Sequence, residues 1–198
     1  MLICEGEAGG DYYALMTEAM HRLLLESGAL APADVDRLVA ELSAPNEGWG
    51  ARVVARAWLD PAFKARLLAD GRAACGELGY PVKEARLVAL ENTPALHNLV
   101  VCTLCSCYPR SLLGQPPWWY VSKAYRARAV REPRAVLAEL GYPLPEQVQV
   151  RVHDSNADLR YIVLPLRPAG TEGWDEERLA ACIGRDALVG AAPARLPG

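Results

Sequence analysis

Cys-Thr-Leu-Cys-Ser-Cys occupies residues 102–107 and places three thiols within six positions. We call this hexapeptide the cysteine motif. Thiolates are soft ligands that select transition metals over calcium or magnesium, and three thiols this close in sequence can meet at one ion with little loss of loop entropy. The backbone amides of Ser106 and Cys107 lie beside the thiols. The motif therefore predicts a transition-metal site.

The residues around the motif predict strands. Short segments rich in Leu and Val, or alternating in polarity, are typical of strands, and they occur at 86–91, 97–102, 149–153 and 159–164. The first two are separated by the turn sequence 92–94, Asn-Thr-Pro. Residues 154–157, Asp-Ser-Asn-Ala, are predicted to join the last two as a hairpin. The cysteine motif is thus expected at the end of a strand.

Helical periodicity dominates the first 80 residues and returns after the motif. Helices are predicted at 11–27, from Pro32 onward, at 51–58, at 61–78, at 118–140 with a break at Pro133, and at 174–183 with an N-cap near Asp175. Residues 43–50, with Pro45, Asn46 and Gly48, are predicted to be a loop. The apolar stripe of the first helices is expected either on a partner subunit or on the second half of this chain.

These elements predict an α+β fold, with a helical arm over residues 1–80 and an α/β metal-binding domain over residues 81–198. A chain of 198 residues that is 52% apolar needs no disulfide framework to form a core. We expect Cys4, Cys75 and Cys182, which stand alone, to be buried or idle thiols.

The composition argues against two classes of partner. The net charge is −3 and the Lys and Arg residues are scattered, so the electrostatic pattern of a nucleic-acid-binding protein is missing. The N-terminus is acidic where a secretory signal needs positive charge, and no stretch approaches the roughly 18 apolar residues of a membrane span. A cytoplasmic protein is expected.

The residues alone leave three kinds of metal site open. An iron–sulfur cluster or a zinc site needs a fourth ligand from a distance, such as Cys75, Cys182, His97 or His153, and no spacing supports these. A mononuclear site could instead take three sulfurs and the two deprotonated amides of Ser106 and Cys107. That arrangement leaves one coordination position open, as a Lewis-acid catalyst requires.

The cysteine motif and its surroundings closely resemble the α subunit of nitrile hydratases. The similarity extends over about residues 10 to 190, and its most specific segments are 91–101 before the motif, 51–58, 125–134 and 164–174. The resemblance implies the four-layer α-β-β-α arrangement of that family. It also implies hydration of a small nitrile to its amide.

The resemblance implies a role for each residue of the motif. Cys102 is expected to be the axial thiolate, with Cys105 oxidised to sulfinate and Cys107 to sulfenate. Ser106 and Cys107 are expected to supply amide nitrogens, so the metal ligands are Cys102, Cys105, Ser106 and Cys107. Thr103 and Tyr108 favour one cobalt(III) per chain over iron(III).

Catalysis is expected to involve the Cys107 sulfenate, as nucleophile or as base for water, and the Ser106 hydroxyl. Tyr108, Arg110 and Trp118 are the candidate substrate-binding residues. The family further implies a β-type subunit that completes the site with arginines, and an activator protein that inserts cobalt.

Arg110 departs from the family pattern, in which a tryptophan commonly follows the Cys-Tyr-Pro sequence. A guanidinium suits an anionic or hydrogen-bonding substrate. Two alternatives to simple nitrile hydration therefore remain within the superfamily: a polar nitrile, as in toyocamycin-type three-subunit hydratases, or thiocyanate, which the similar γ subunit of thiocyanate hydrolase helps convert to carbonyl sulfide and ammonia. Outside it, a non-catalytic thiolate module for zinc or metal storage also remains.

Overall fold

The computed structural model describes residues 10–43 and 47–197, and the chain divides into two compact units between residues 44 and 45. The first unit contains helices α1 (Gly10–Glu26) and α2 (Pro32–Ser43), which confirms both predicted helices. Gly28, with φ of 72°, ends α1. Apolar side chains of α1 are exposed, including Tyr13 at 70% and Leu15 at 66%. Cys4 lies outside the described residues.

Three further helices begin the second unit, although the hydrophobic pattern groups them with the N-terminal arm. They are α3 (Glu47–Leu59), α4 (Pro61–Ala69) and α5 (Gly71–Glu77). Asp60 caps α4 by accepting the amide of Phe63 at 2.9 Å, and Asp70 caps α5 by accepting that of Ala73 at 3.0 Å. The predicted single helix over 61–78 was wrong because Asp70 starts a new helix. The predicted loop over 43–50 was too long, since α3 already begins at Glu47.

Within the described ranges, four strands form two parallel pairs. Strand β1 (Arg86–Glu91) pairs with β4 (Leu159–Leu164), and β2 (Leu96–Val101) pairs with β3 (Gln149–Asp154). The predicted hairpin between the last two strands was therefore wrong, because each of them pairs with an earlier strand instead. The β2–β3 register sets Val101 beside Asp154, so residue 102 leaves the sheet next to the end of β3.

Short helices follow the cysteine motif and complete the layers. They are α6 (Arg110–Leu113), α7 (Trp118–Val121), α8 (Lys123–Ala129), α9 (Pro133–Glu139) and α10 (Glu176–Ala180), followed by a 3₁₀ turn over Arg185–Val189. The predicted break at Pro133 and the N-cap at Asp175 are confirmed, whereas Ser122 adds a break that was not predicted. Helices α4 and α5 pack against β1, α9 packs against β3, and β2 lies against β4. This helix–sheet–sheet–helix order confirms the α+β fold.

A buried polar network ties the C-terminal segment to β2. His97 is 3% exposed, and its Nε2 donates to the Gly190 carbonyl at 2.7 Å while its Nδ1 accepts from Asn92 at 3.1 Å. His153 donates to Asn98 Oδ1 at 2.9 Å. These bonds satisfy buried imidazoles and fix the strand that leads into the cysteine motif. None of the helices in the described ranges has the length and apolar character needed to cross a membrane.

Candidate metal centre

The three sulfurs of the cysteine motif converge. The Cys102 and Cys105 sulfurs are 3.5 Å apart, those of Cys105 and Cys107 are 3.1 Å apart, and all three lie within 4.8 Å of one another. The Cys105 amide donates to the Cys102 sulfur at 3.2 Å, which closes the loop on itself. Cys102 is fully buried and Cys105 is exposed, so the cluster reaches from the core to the surface.

The thiols differ in acidity because their surroundings differ. Hydrogen bonds from Cys107 and then Cys102 lower the pKa of Cys105. Burial raises the pKa of Cys107 to about 12, and its hydrogen bond to Cys105 adds to the shift, whereas the charge of Arg160 opposes it. The pKa values of these two thiols are therefore shifted in opposite directions, and Cys105, the exposed one, is the more acidic of the pair.

Thr103 is fixed by bonds from two other elements. Asp154, the last residue of β3, accepts the Thr103 amide at 2.9 Å and the Thr103 hydroxyl at 2.5 Å. Arg126 on α8 donates to the Thr103 carbonyl at 3.4 Å. The peptide groups on both sides of Thr103 are thus oriented before any metal binds, and bonds of this kind orient metal ligands.

Replacing Asp154 with Asn is expected to weaken retention of a metal ion bound by the motif by about 10- to 100-fold, because the carboxylate that receives both Thr103 donors is lost. The measurement is the metal content of the purified, metal-loaded protein during dialysis against a chelator. Asp158→Asn is the matched control, since Asp158 is exposed in the loop that follows β3 and the bonds it makes use its backbone. Equal metal loss from both variants would exclude this role for Asp154.

Aromatic residues support the motif from the core side. The Tyr120 hydroxyl donates to the Cys107 carbonyl at 2.8 Å, and the Tyr125 hydroxyl donates to the Val100 carbonyl at 2.7 Å. Burial raises the pKa of both phenols, so they remain neutral donors. The Tyr108 ring meets the Tyr120 ring edge to face at 4.9 Å between centroids. The end of the motif and the strand that leads into it are therefore both attached to buried side chains.

A cavity of about 270 Å³ lies beside the sulfurs. Its lining residues are Glu84, Cys105, Ser106, Cys107, Tyr108, Arg110 and Arg160. The structure thus brings five predicted site residues together around one small space: Cys105, Ser106, Cys107, Tyr108 and Arg110. Trp118 is 58% exposed and does not line this cavity.

Three residues at the site were not predicted from sequence. Glu84 precedes β1 and accepts the Ser111 amide at 3.0 Å, which attaches the start of α6 to the cavity wall. Asp154 and Arg160 lie on β3 and β4. Arg160 could have been recognised from the sequence, because it is an arginine inside an otherwise apolar strand. Asp154 was not recognised, because residues 154–157 were predicted to be the turn of a hairpin.

The fit of the site to a metal follows from its donor set. The three soft sulfurs lie within 4.8 Å of one another, and hydrogen bonds lower the pKa of Cys105. The loop that carries them is fixed by hydrogen bonds at Thr103 and Cys107. No other group of three His, Cys, Asp or Glu side chains in the described ranges offers ligand atoms at comparable spacing. The residues present suit a thiophilic transition-metal ion.

The chain is similar to known proteins in sequence along most of its length. The family model for the nitrile hydratase alpha chain matches residues 11–192. The α subunit of the low-molecular-weight cobalt-containing nitrile hydratase of Rhodococcus rhodochrous is 50% identical over 181 residues, which span 89% of this chain and 86% of the relative. The γ subunit of thiocyanate hydrolase from Thiobacillus thioparus is 50% identical over 154 residues, or 72% of this chain and 63% of the relative.

Solved structures agree with the sequence comparison. A double mutant of the iron-type nitrile hydratase from Comamonas testosteroni Ni1 superimposes with a TM-score of 0.88 at 43% identity, covering 95% of this chain and 93% of that one. Similarity in sequence and in structure thus extends over nearly the whole chain.

Proposed function

Because this chain belongs to the family of nitrile hydratase alpha chains, we propose that it is the metal-binding catalytic subunit of a cobalt nitrile hydratase, which hydrates a nitrile to its amide. The observation that carries the proposal is the convergence of the Cys102, Cys105 and Cys107 sulfurs beside a small cavity. A non-catalytic zinc or storage module would not require such a cavity.

Cobalt(III) is the proposed metal, one ion per chain, held by the three sulfurs and by the amide nitrogens of Ser106 and Cys107. When bound, it supplies Lewis-acid chemistry to a nitrile or a water in the cavity. Cobalt is favoured over iron(III) by Thr103 and by the cobalt-containing relative, although the family also includes the iron-type structure.

The protein's own groups have distinct proposed tasks. Cys107, oxidised to sulfenate, offers an oxygen that attacks the nitrile or takes a proton from water, and Cys105 is oxidised to sulfinate. The Ser106 hydroxyl lies at the cavity wall and can hydrogen-bond to that oxygen or to water. Tyr108 and Arg110 line the space that the substrate occupies, and Trp118 lies outside it.

The proposed function requires partner proteins. A β-type subunit is proposed to cover the open side of the cavity, where Cys105 is exposed, and the apolar face of α1. An activator protein is proposed to insert cobalt, and the complex is proposed to be cytoplasmic. A partner that closes the cavity would exclude bulk water and strengthen every polar contact inside it.

Thiocyanate hydrolysis is the second candidate, because Arg110 and Arg160 place two guanidinium groups at the cavity and could bind an anion. The γ subunit of thiocyanate hydrolase is among the relatives. Glu84 on the same cavity wall offsets part of this positive charge, which favours a neutral nitrile.

The direct test is an assay of the complex, co-expressed with its β-type subunit and a cobalt activator, with aliphatic, aromatic and heterocyclic nitriles and with thiocyanate. Amide formation from at least one nitrile, with no carbonyl sulfide from thiocyanate, is the expected result. Carbonyl sulfide release without amide formation would reassign the chain to the second candidate. Zinc in place of cobalt, with unmodified thiols, would indicate a non-catalytic module.

Arg110 provides a prediction about specificity. Replacing Arg110 with Trp is expected to lower kcat/KM for a polar or anionic substrate by about tenfold relative to a small aliphatic nitrile, because a charge-assisted donor is lost from the cavity wall. The measurement is the ratio of kcat/KM values for the two substrates. Arg110→Lys is the control, since it keeps the charge. An unchanged ratio in Arg110→Trp would mean that Arg110 does not contact substrate.

A further inference from the structure

Arg160 lies on β4 and lines the cavity beside the cysteine motif. Its Nη1 donates to the backbone carbonyls of Asn156 and Leu159, so the loop between β3 and β4 fixes the guanidinium. Its Nε is buried and has no hydrogen-bond partner within the described ranges. One donor of a fixed, permanently charged group is therefore left unused at the metal centre.

A buried N–H without an acceptor is unfavourable, and native structures rarely keep one without a reason. Arg160 and Cys107 line the same cavity of about 270 Å³, so an acceptor formed on the Cys107 sulfur would share this small space with the Arg160 side chain.

Oxidation of Cys107 would add an acceptor to this cavity. A sulfur bound to one oxygen carries negative charge on that oxygen, and a guanidinium N–H is the strongest kind of donor for it. A centre with three sulfur anions and two deprotonated amides around one trivalent ion also carries a net negative charge. A cation fixed in the same chain lowers the cost of burying that charge.

We propose that Arg160 is a positioning residue that donates a hydrogen bond to the oxygen on oxidised Cys107. The proposal rests on the proposed function, because it needs the oxidised metal centre. It differs from the family expectation that the partner subunit supplies the arginines, since here the chain that carries the sulfur also supplies a cation.

The test uses the cobalt-loaded complex with Arg160→Gln, which removes the charge and the guanidinium donors. The measured quantity is the rate at which the α chain loses a mass of one oxygen in dithiothreitol, whose two thiols supply the two electrons that release the oxygen as water. We expect Arg160→Gln to lose it about tenfold faster than the unaltered chain, at unchanged cobalt content, because a charge-assisted hydrogen bond is removed. Arg160→Lys keeps the positive charge but not the planar guanidinium with its several donors, and its rate of oxygen loss is expected to lie between those of the other two proteins.

Arg151→Gln is the matched control, because Arg151 is an exposed arginine on β3, the strand that precedes β4 in the chain, and does not line the cavity. It is expected to lose oxygen at the rate of the unaltered chain. Equal rates for Arg160→Gln and the unaltered chain would overturn the proposal. If Arg160→Gln does not fold, the Arg160→Lys variant provides the test. A rate of oxygen loss from Arg160→Lys equal to that of the unaltered chain would then overturn the proposal. A failure of the proposed function is distinguishable, because the unaltered chain would then carry no cobalt or no added oxygen.

Discussion

Replacing Cys102 with alanine is expected to remove cobalt from the chain and to lower nitrile hydration by at least about 10⁴-fold, since enzymes accelerate reactions by about 10⁶-fold or more. Cys102 is fully buried at the end of β2, and its sulfur accepts the Cys105 amide at 3.2 Å. Its loss removes one of three soft ligands and releases the loop that brings the other two together. The motif contains no further thiol that could replace Cys102 as a ligand.

Elemental analysis and the amide-forming rate of the co-expressed complex measure this effect. Cys182→Ala is the matched control, because Cys182 is buried outside the motif and its sulfur donates only to the Arg178 carbonyl, at 3.6 Å. That variant is expected to keep its cobalt and to lose about 1 kcal/mol of stability. A Cys102→Ala chain with full cobalt content and normal turnover would show that the metal binds elsewhere.

The largest effect on folding is expected from Gly190→Ala. Gly190 has φ of 78°, and a Cβ placed there would lie 1.9 Å from the Asn98 carbonyl oxygen on β2. The Gly190 carbonyl also accepts the buried His97 Nε2 at 2.7 Å. Steric overlap and left-handed strain together are expected to cost about 3 kcal/mol or more and to lower the melting temperature by roughly 10 °C.

Gly141→Ala is the control that separates the cost of steric overlap from the cost of the left-handed backbone conformation. Gly141 has φ of 82°, but nothing lies within 4 Å of the position where its Cβ would be. The substitution is therefore expected to cost only the left-handed conformation, about 1–2 kcal/mol. Thermal unfolding of both variants provides the comparison. Similar losses of stability would mean that the close approach of Gly190 to β2 does not contribute.

The sequence predicted a helix well where an amphipathic stripe is followed by a terminating glycine, as in α1, which Gly28 follows. It failed at Asp70 and Ser122, where a single capping side chain divides a continuous apolar pattern into two helices. Both residues could have been recognised as N-caps, but an acceptor side chain in a helical pattern is also common on a solvated face.

Strand pairing was the part of the fold that local signals could not supply. Residues 154–157 have turn chemistry, which is equally compatible with a hairpin and with a loop between strands in different sheets. The Ser155 amide instead donates to the Val101 carbonyl at 2.7 Å, which extends the parallel β2–β3 pairing. A parallel partner is selected by long-range packing, and no local sequence pattern specifies it.

Because local sequence does not specify strand pairing, only part of the metal site could be predicted. The ligand sulfurs are neighbours in sequence, so their convergence was predictable from spacing. Asp154 and Arg160 reach the motif only because β3 and β4 pair with β2 and β1, and Glu84 reaches it from the segment before β1. Residues that orient or charge a metal centre come from elsewhere in the fold, and their positions depend on the pairing.

X-ray absorption at the cobalt edge of the co-expressed complex tests the central claim most directly. The predicted result is about one cobalt per chain, trivalent, with sulfur and nitrogen neighbours in a ratio of about three to two and one further light-atom neighbour. A four-coordinate tetrahedral shell, or zinc at the same position with three unoxidised thiols, would contradict the account.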